Sequence, residues 1–98
     1  MQKVLVISSR FLDFVGQDNK PVKGTSIQYV EPVQKNGVTT YAHDKIWIKP
    51  EQETLSRKAA GLIPGQLIEL DYSLDGRRVV LSDIIPGELA VDFDTIFK

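Results

Sequence analysis

Two dipeptides, Asn36-Gly37 and Asp75-Gly76, each separate runs of alternating apolar and polar residues, and they constrain this chain more than any other feature. Asn, Asp and Gly accept the positive φ that two-residue β-hairpin turns require. Each dipeptide therefore predicts a tight reversal between antiparallel strands. Working outward, the first hairpin joins strands at Thr25–Val33 and Val38–Lys49, and the second joins Gln66–Leu74 to Arg77–Ile85. Another strand, Lys3–Phe14, precedes them and stops at the polar cluster 16–21. Pro86-Gly87 ends the last strand.

Between the hairpins the pattern changes. Pro50–Ala60 reads as a helix of about three turns, with Pro50 at its first position. Glu51 and Glu53 lie near the positive end of its dipole, Arg57 and Lys58 near the negative end, and Gly61 follows. Leu55, Ala59 and Leu62 recur at helical spacing and would cap a core. Three strands, one helix and two strands is the chain order of a five-stranded OB-type barrel, all-β with one short helix (β-β-β-α-β-β). The barrel is assigned to residues 1–86, and 87–98 form an acidic, apolar tail or an extra edge strand.

Ninety-eight residues suffice for one core. With no cysteine the chain has neither disulfides nor thiolate metal sites, which fits a reducing cytoplasm. No apolar run approaches the ~20 residues that span a bilayer, so a soluble protein away from membranes is expected. His43 is the sole histidine and has no carboxylate cluster beside it, so no metal is expected. No cofactor is expected either. No phosphate loop or nucleophile–histidine–acid set can be assembled, so the chain reads as a binding protein rather than an enzyme.

The binding reading rests on the third strand. Alternation puts Ala42, Ile46 and Ile48 on one face, with Asp44 as the exception. Tyr41, His43, Lys45, Trp47 and Lys49 fall on the other, a row of rings and cations without an acid. Rings stack unpaired bases and cations track phosphates, with stacking worth roughly 1–3 kcal/mol per base. Trp47 has two other readings: ordinary packing, or the anchor of a subunit interface. Tyr29, on the second strand, either stacks beside Trp47 or closes the barrel. Lys20 and Lys23 belong to a flexible basic loop, Gly16–Gly24, and Arg77 and Arg78 to the last hairpin; both could contact a strand. The net charge is −1, and residues 1–86 carry eleven Lys/Arg against ten Asp/Glu. Affinity for phosphate must therefore come from local clustering.

The loop Gly16-Gln17-Asp18-Asn19-Lys20-Pro21, the Tyr- and Trp-bearing middle hairpin and Pro64-Gly65 before the final hairpin together carry a resemblance. The chain resembles the single-stranded DNA-binding, helix-destabilising proteins of filamentous phages and related mobile elements. That resemblance implies a homodimer that coats single-stranded DNA in replication or recombination. RNA is not distinguished from DNA by these residues. A protein-interaction OB module, using the same aromatic face as a subunit interface, is the alternative.

The tail Asp92-Phe93-Asp94-Thr95-Ile96-Phe97-Lys98 is similar to the acidic, apolar C-terminal tip of bacterial single-strand-binding proteins. There, such a tip recruits replication and repair partners, a role this resemblance extends to Asp92, Phe93, Asp94, Ile96 and Phe97. The same residues, with Leu89 and Val91, alternate well enough to form a sixth strand.

Overall fold

Asn36 and Gly37 both adopt positive φ (54° and 76°) and turn the chain as the dipeptide demands. In the second hairpin the turn shifts by one residue. Gly76 alone has positive φ (63°), and Asp75 pairs with Arg78, so Gly76 and Arg77 form the two-residue loop. A glycine first followed by an ordinary residue is the II′ arrangement.

The computed structural model describes residues 2–97. In chain order it contains β1 (Gln2–Val15), β2 (Pro21–Lys35), β3 (Val38–Ile48), α1 (Glu53–Ala60), β4 (Gln66–Asp75), β5 (Arg78–Leu89) and α2 (Phe93–Ile96). The strands form one antiparallel sheet in the order β3-β2-β1-β4-β5. The chain is all-β with a short helix, in an OB-like arrangement whose sheet stays open between β3 and β5.

Alternation selects the core. Val4 and Val6 from β1, Ile27 and Tyr29 from β2, Ile48 from β3, Ile68 and Leu70 from β4 and Ile84 from β5 all point inward. Each buried aliphatic side chain contributes about 1.5–3 kcal/mol. α1 closes one end of this core with Leu55 and Ala59, and Leu62 follows. Ser9 Oγ donates to the Ala59 carbonyl (2.8 Å), tying β1 to the helix C-terminus. Lys58 reaches Asp83 on β5, tying the other side.

Several boundaries move from the sequence reading. Pro50 does not open the helix. Lys49–Gln52 is a turn closed by Gln52 N–H to Lys49 O (3.0 Å), with the Lys49 N–H donating to Gln52 Oε1 (3.1 Å). Proline suits the second position of such a turn, so α1 begins only at Glu53. Pro86-Gly87 does not end the last strand either. β5 is an edge strand, where proline is tolerated, and it carries one extra residue between Pro86 and Leu89, opposite Ile68 to Gln66, which absorbs the irregularity. The basic loop contracts to Gly16–Lys20, because Pro21–Gly24 already pair with Leu12–Val15.

No sixth strand follows β5 among the described residues. Ala90 and Val91 donate to the Gly65 carbonyl (2.9 and 3.1 Å). Gly65 has φ +92°, and its α-carbon lies against the Val91 carbonyl, an approach no side chain would permit. Asp92 then caps α2, accepting from Thr95 N–H (3.4 Å) and Thr95 Oγ1 (2.8 Å). A local cap thus overrides the period-two pattern of the tail.

Beyond the core the hairpins continue as arms. β1 meets β4 only over Gln2–Leu5, and the far ends of the β1–β2, β2–β3 and β4–β5 pairs are exposed on both faces. The radius of gyration is accordingly 15.0 Å, against about 13 Å for a compact chain of this length.

Candidate functional site

β2 and β3 pair from Thr25↔Ile48 to Lys35↔Val38 without a register shift, so the outward row of β3 runs unbroken. Directly opposite Trp47, Lys45, His43 and Tyr41 lie Ser26, Gln28, Val30 and Pro32. No acid interrupts either strand of this face between positions 26–32 and 41–47. Asp44 points to the other face, opposite Tyr29. His43 Nε2 lies 3.3 Å from Oε1 of Gln28, diagonally across on β2.

Trp47 is set by a residue that the sequence reading passed over. Gly24 is buried, and a Cβ there would overlap the indole ring and lie 2.8 Å from the Ile48 carbonyl oxygen. The indole therefore packs directly against the Gly24 backbone, while 40% of the residue stays exposed. Glycine inside a strand often marks such a close approach, and an aromatic that covers it recovers lost packing. That signal was present at Gly24, but its partner lies on the next strand, on the far side of the hairpin turn.

Three depressions converge on Trp47. One of about 360 Å³ lies toward β1, with Leu12, Phe14, Ser26 and Lys45. Another, about 490 Å³, lies against Pro21, Val22, Lys23 and Lys49. A third, about 520 Å³, opens toward β5 and includes Lys45, Lys49, Tyr72 and Arg78. Lys45 and Lys49 thus flank the indole, each lining two of the three hollows.

The other expected residues disperse. Tyr41 is 73% exposed, at the far end of β3 from Trp47. Six positions at strand spacing separate the two rings by about 20 Å. They cannot hold adjacent bases. Lys20 sits at the β1–β2 loop, its N–H donating to Asp18 Oδ1 (3.3 Å). Lys23 lies 4.0 Å from Asp13, which offsets its charge. Arg77 is at the hairpin tip, whereas Arg78 lines the hollow beside Trp47.

Tyr29 requires correction as a binding residue. It is only 4% exposed, on the inward face that Ile27 and Val6 share, so it closes the core rather than stacking beside Trp47. Burial raises its phenol above the ordinary value, and Tyr72, Asp44 and Glu31 raise it further. Tyr72 is raised by burial as well. Among the described residues, one Glu31 carboxylate oxygen is buried without a hydrogen-bond partner.

No family model, curated protein or solved structure matches this chain.

In the tail, Asp92 is engaged as the α2 cap and Phe93 stacks on Phe97 (centroids 6.4 Å apart, 28° between planes). Phe93 also borders a small hollow with Ile63, Pro64 and Leu89. Ile96 and Phe97 face solvent, with Asp94 exposed beside them. Among the described residues no cluster of His, Asp and Glu has metal-binding geometry, and no helix is long and apolar enough to cross a membrane.

Proposed function

We propose that this chain binds single-stranded DNA with little regard to sequence, using Trp47 as a stacking platform and Lys45 and Lys49 as phosphate contacts. The observation that carries this reading is the half-exposed indole packed on the Gly24 backbone, with three hollows meeting at it and Lys45 and Lys49 lining two of them each. A ring held by backbone contact and still part exposed offers a surface on which a base can stack, and stacking is indifferent to base identity. His43 and Tyr41 extend the platform along β3; Lys23 on β2 and Arg78 on β5 supply nearby charge, and Lys20 and Arg77 add charge from the turns without direct contact. With a net charge of −1, the long-range pull on DNA is weak and affinity comes from these contacts.

In this reading the protein protects or presents single strands during replication or recombination, in the cytoplasm, and works as a homodimer without catalysing a reaction. The dimer is favoured by apolar side chains left exposed on the arms, among them Phe11, Val15, Leu74 and Val79, each at least 65% exposed. Ile96 and Phe97, with Asp94 beside them, present an acidic and apolar tip to a replication or repair protein. A protein-interaction module that uses the Trp47 face as its interface is the competing reading, favoured by the same exposed arms. RNA differs in its 2′-hydroxyl and in uracil for thymine, and a stacking platform selects against neither.

Fluorescence anisotropy of a labelled oligo-dT, set against a duplex of equal length, separates these readings. Single-strand binding at least tenfold tighter than duplex binding is expected. Equal affinity for both, or none for either, contradicts the proposal. Sedimentation of the free protein tests the dimer.

A further inference from the structure

The seam between β3 and β5 is the place where an OB-like sheet would close, and here it holds a cleft of about 520 Å³. Its floor is apolar, formed by Ile46 and Ile48 of β3, Leu55 of α1 and Leu81 of β5. Its rim is cationic: Lys45 and Lys49 on one side, Arg78 on the other, and no carboxylate among the described lining residues. Trp47 forms part of the same wall. β3 is paired with β2 alone and β5 with β4 alone, so both turn backbone donors and acceptors toward the cleft.

An apolar floor under a purely cationic rim is complementary to a nucleotide, whose base is flat and apolar and whose phosphates are anionic. We propose that this seam takes one base of the bound single strand, turned off the Trp47 platform onto the Ile46–Leu81 floor, with its flanking phosphates held by Lys49 and Arg78. The inference rests on the single-strand reading above and adds a second base position to it. It also separates two adjacent arginines. Arg78 faces the seam and contacts the strand, whereas Arg77, in the turn, does not. A paired base cannot leave its stack without losing its partner, so the seam discriminates against duplex.

The test uses the full chain, oligo-dT, and the variants Arg78→Ala and Arg77→Ala, which remove equal charge from exposed neighbouring positions. Arg78→Ala is expected to weaken binding five- to tenfold and to flatten the log–log salt slope by about 0.7, the loss of one phosphate contact. Arg77→Ala should change affinity less than twofold. Trp47 quenching at saturation should persist in both, because the platform is intact. Arg78→Glu should weaken binding further, and thermal melting of each variant checks the fold.

Equal effects of the two alanine variants, with wild-type quenching normal, overturn the seam while leaving the Trp47 platform standing. Absence of any oligo-dT binding by the wild type removes both. Binding of an extended acidic peptide, alternating Glu and Val, that Arg78→Glu abolishes while oligo-dT binding is unaffected assigns the seam to strand addition instead and overturns the nucleotide site.

Discussion

The two hairpins that border the seam are built on different plans. β2–β3 holds one register from Thr25↔Ile48 to Lys35↔Val38, whereas β4–β5 is interrupted twice, between Gln66 and Ile68 and between Asp71 and Tyr72. An unbroken register keeps Trp47, Lys45, His43 and Tyr41 on one face for the length of the strand. The interrupted hairpin puts Asp71 directly opposite Asp83, a like-charge pair that a sheet tolerates poorly. Lys58 of α1 relieves it by pairing with Asp83, so this hairpin depends on the helix for its electrostatics. One ribbon is thus regular, with an aromatic and basic outward face; the other is irregular and braced, with paired acids midway and Arg77 and Arg78 at its tip. On the proposed reading, an anionic ligand lies along the first ribbon and the seam.

The sharpest way to break this contrast is to truncate one large side chain on each ribbon. Trp47→Ala should cost about 1–3 kcal/mol of binding, a loss of roughly 5- to 150-fold. Leu74→Ala on the β4–β5 arm, although Leu74 is more exposed, should leave oligo-dT affinity within twofold. Anisotropy titrations of both variants give the comparison.

Gly24→Ala comes next. The added methyl must displace the indole or the Ile48 carbonyl. Overpacking of this kind costs about 1–3 kcal/mol of stability. Near-UV circular dichroism should lose Trp47 intensity and affinity should fall several-fold, because the platform is tilted. Retention of both the spectrum and the affinity would free the indole from any dependence on Gly24.

Charge removal should have a smaller effect. Lys45→Ala should lower the salt slope of binding by about 0.7 and leave the melting temperature nearly unchanged. Asp75→Ala, in the other hairpin, should leave the slope as it is.

The smallest effect concerns the brace. Lys58 first, then the Ile84 N–H, hold the Asp83 carboxyl below its ordinary value of 3.8. The unfolded chain therefore takes up this proton first as pH falls. The contribution to stability is complete above the ordinary value and fades as pH drops through the lower, folded one. Urea midpoints of Asp83→Asn should vary less than wild type across that acid range, and should lie slightly below wild type near neutrality.

The parts of this molecule that were legible in its sequence are those with a short period. Asn36-Gly37 announced its hairpin because positive φ is a property of the two residues themselves. Ala42, Ile46 and Ile48 separated from Tyr41, His43, Lys45 and Trp47 because strand side chains alternate. Errors arose where a distant or competing contact decided the outcome. Tyr29 sits inward because Val6 and Ile27 set the face, information that lies partly on another strand. The tail alternates like a strand, yet Asp92 and Thr95 cap a helical turn and Gly65 captures Ala90 and Val91. Pro86 reads as a terminator only while the edge position of β5 is unknown. Gly24 could signal a close approach but not which residue makes it, since Trp47 lies on the next strand, and Arg78 carried no sign of the seam it lines.

Trp47 is the single tryptophan, so its emission reports the platform without labels. Titrating oligo-dT at low salt should quench it progressively to saturation, and added salt should reverse the quenching with a log–log slope of about −0.7 per phosphate held. Emission that stays constant through the titration, or quenching that is indifferent to salt, would contradict a stacking platform flanked by phosphate-binding lysines.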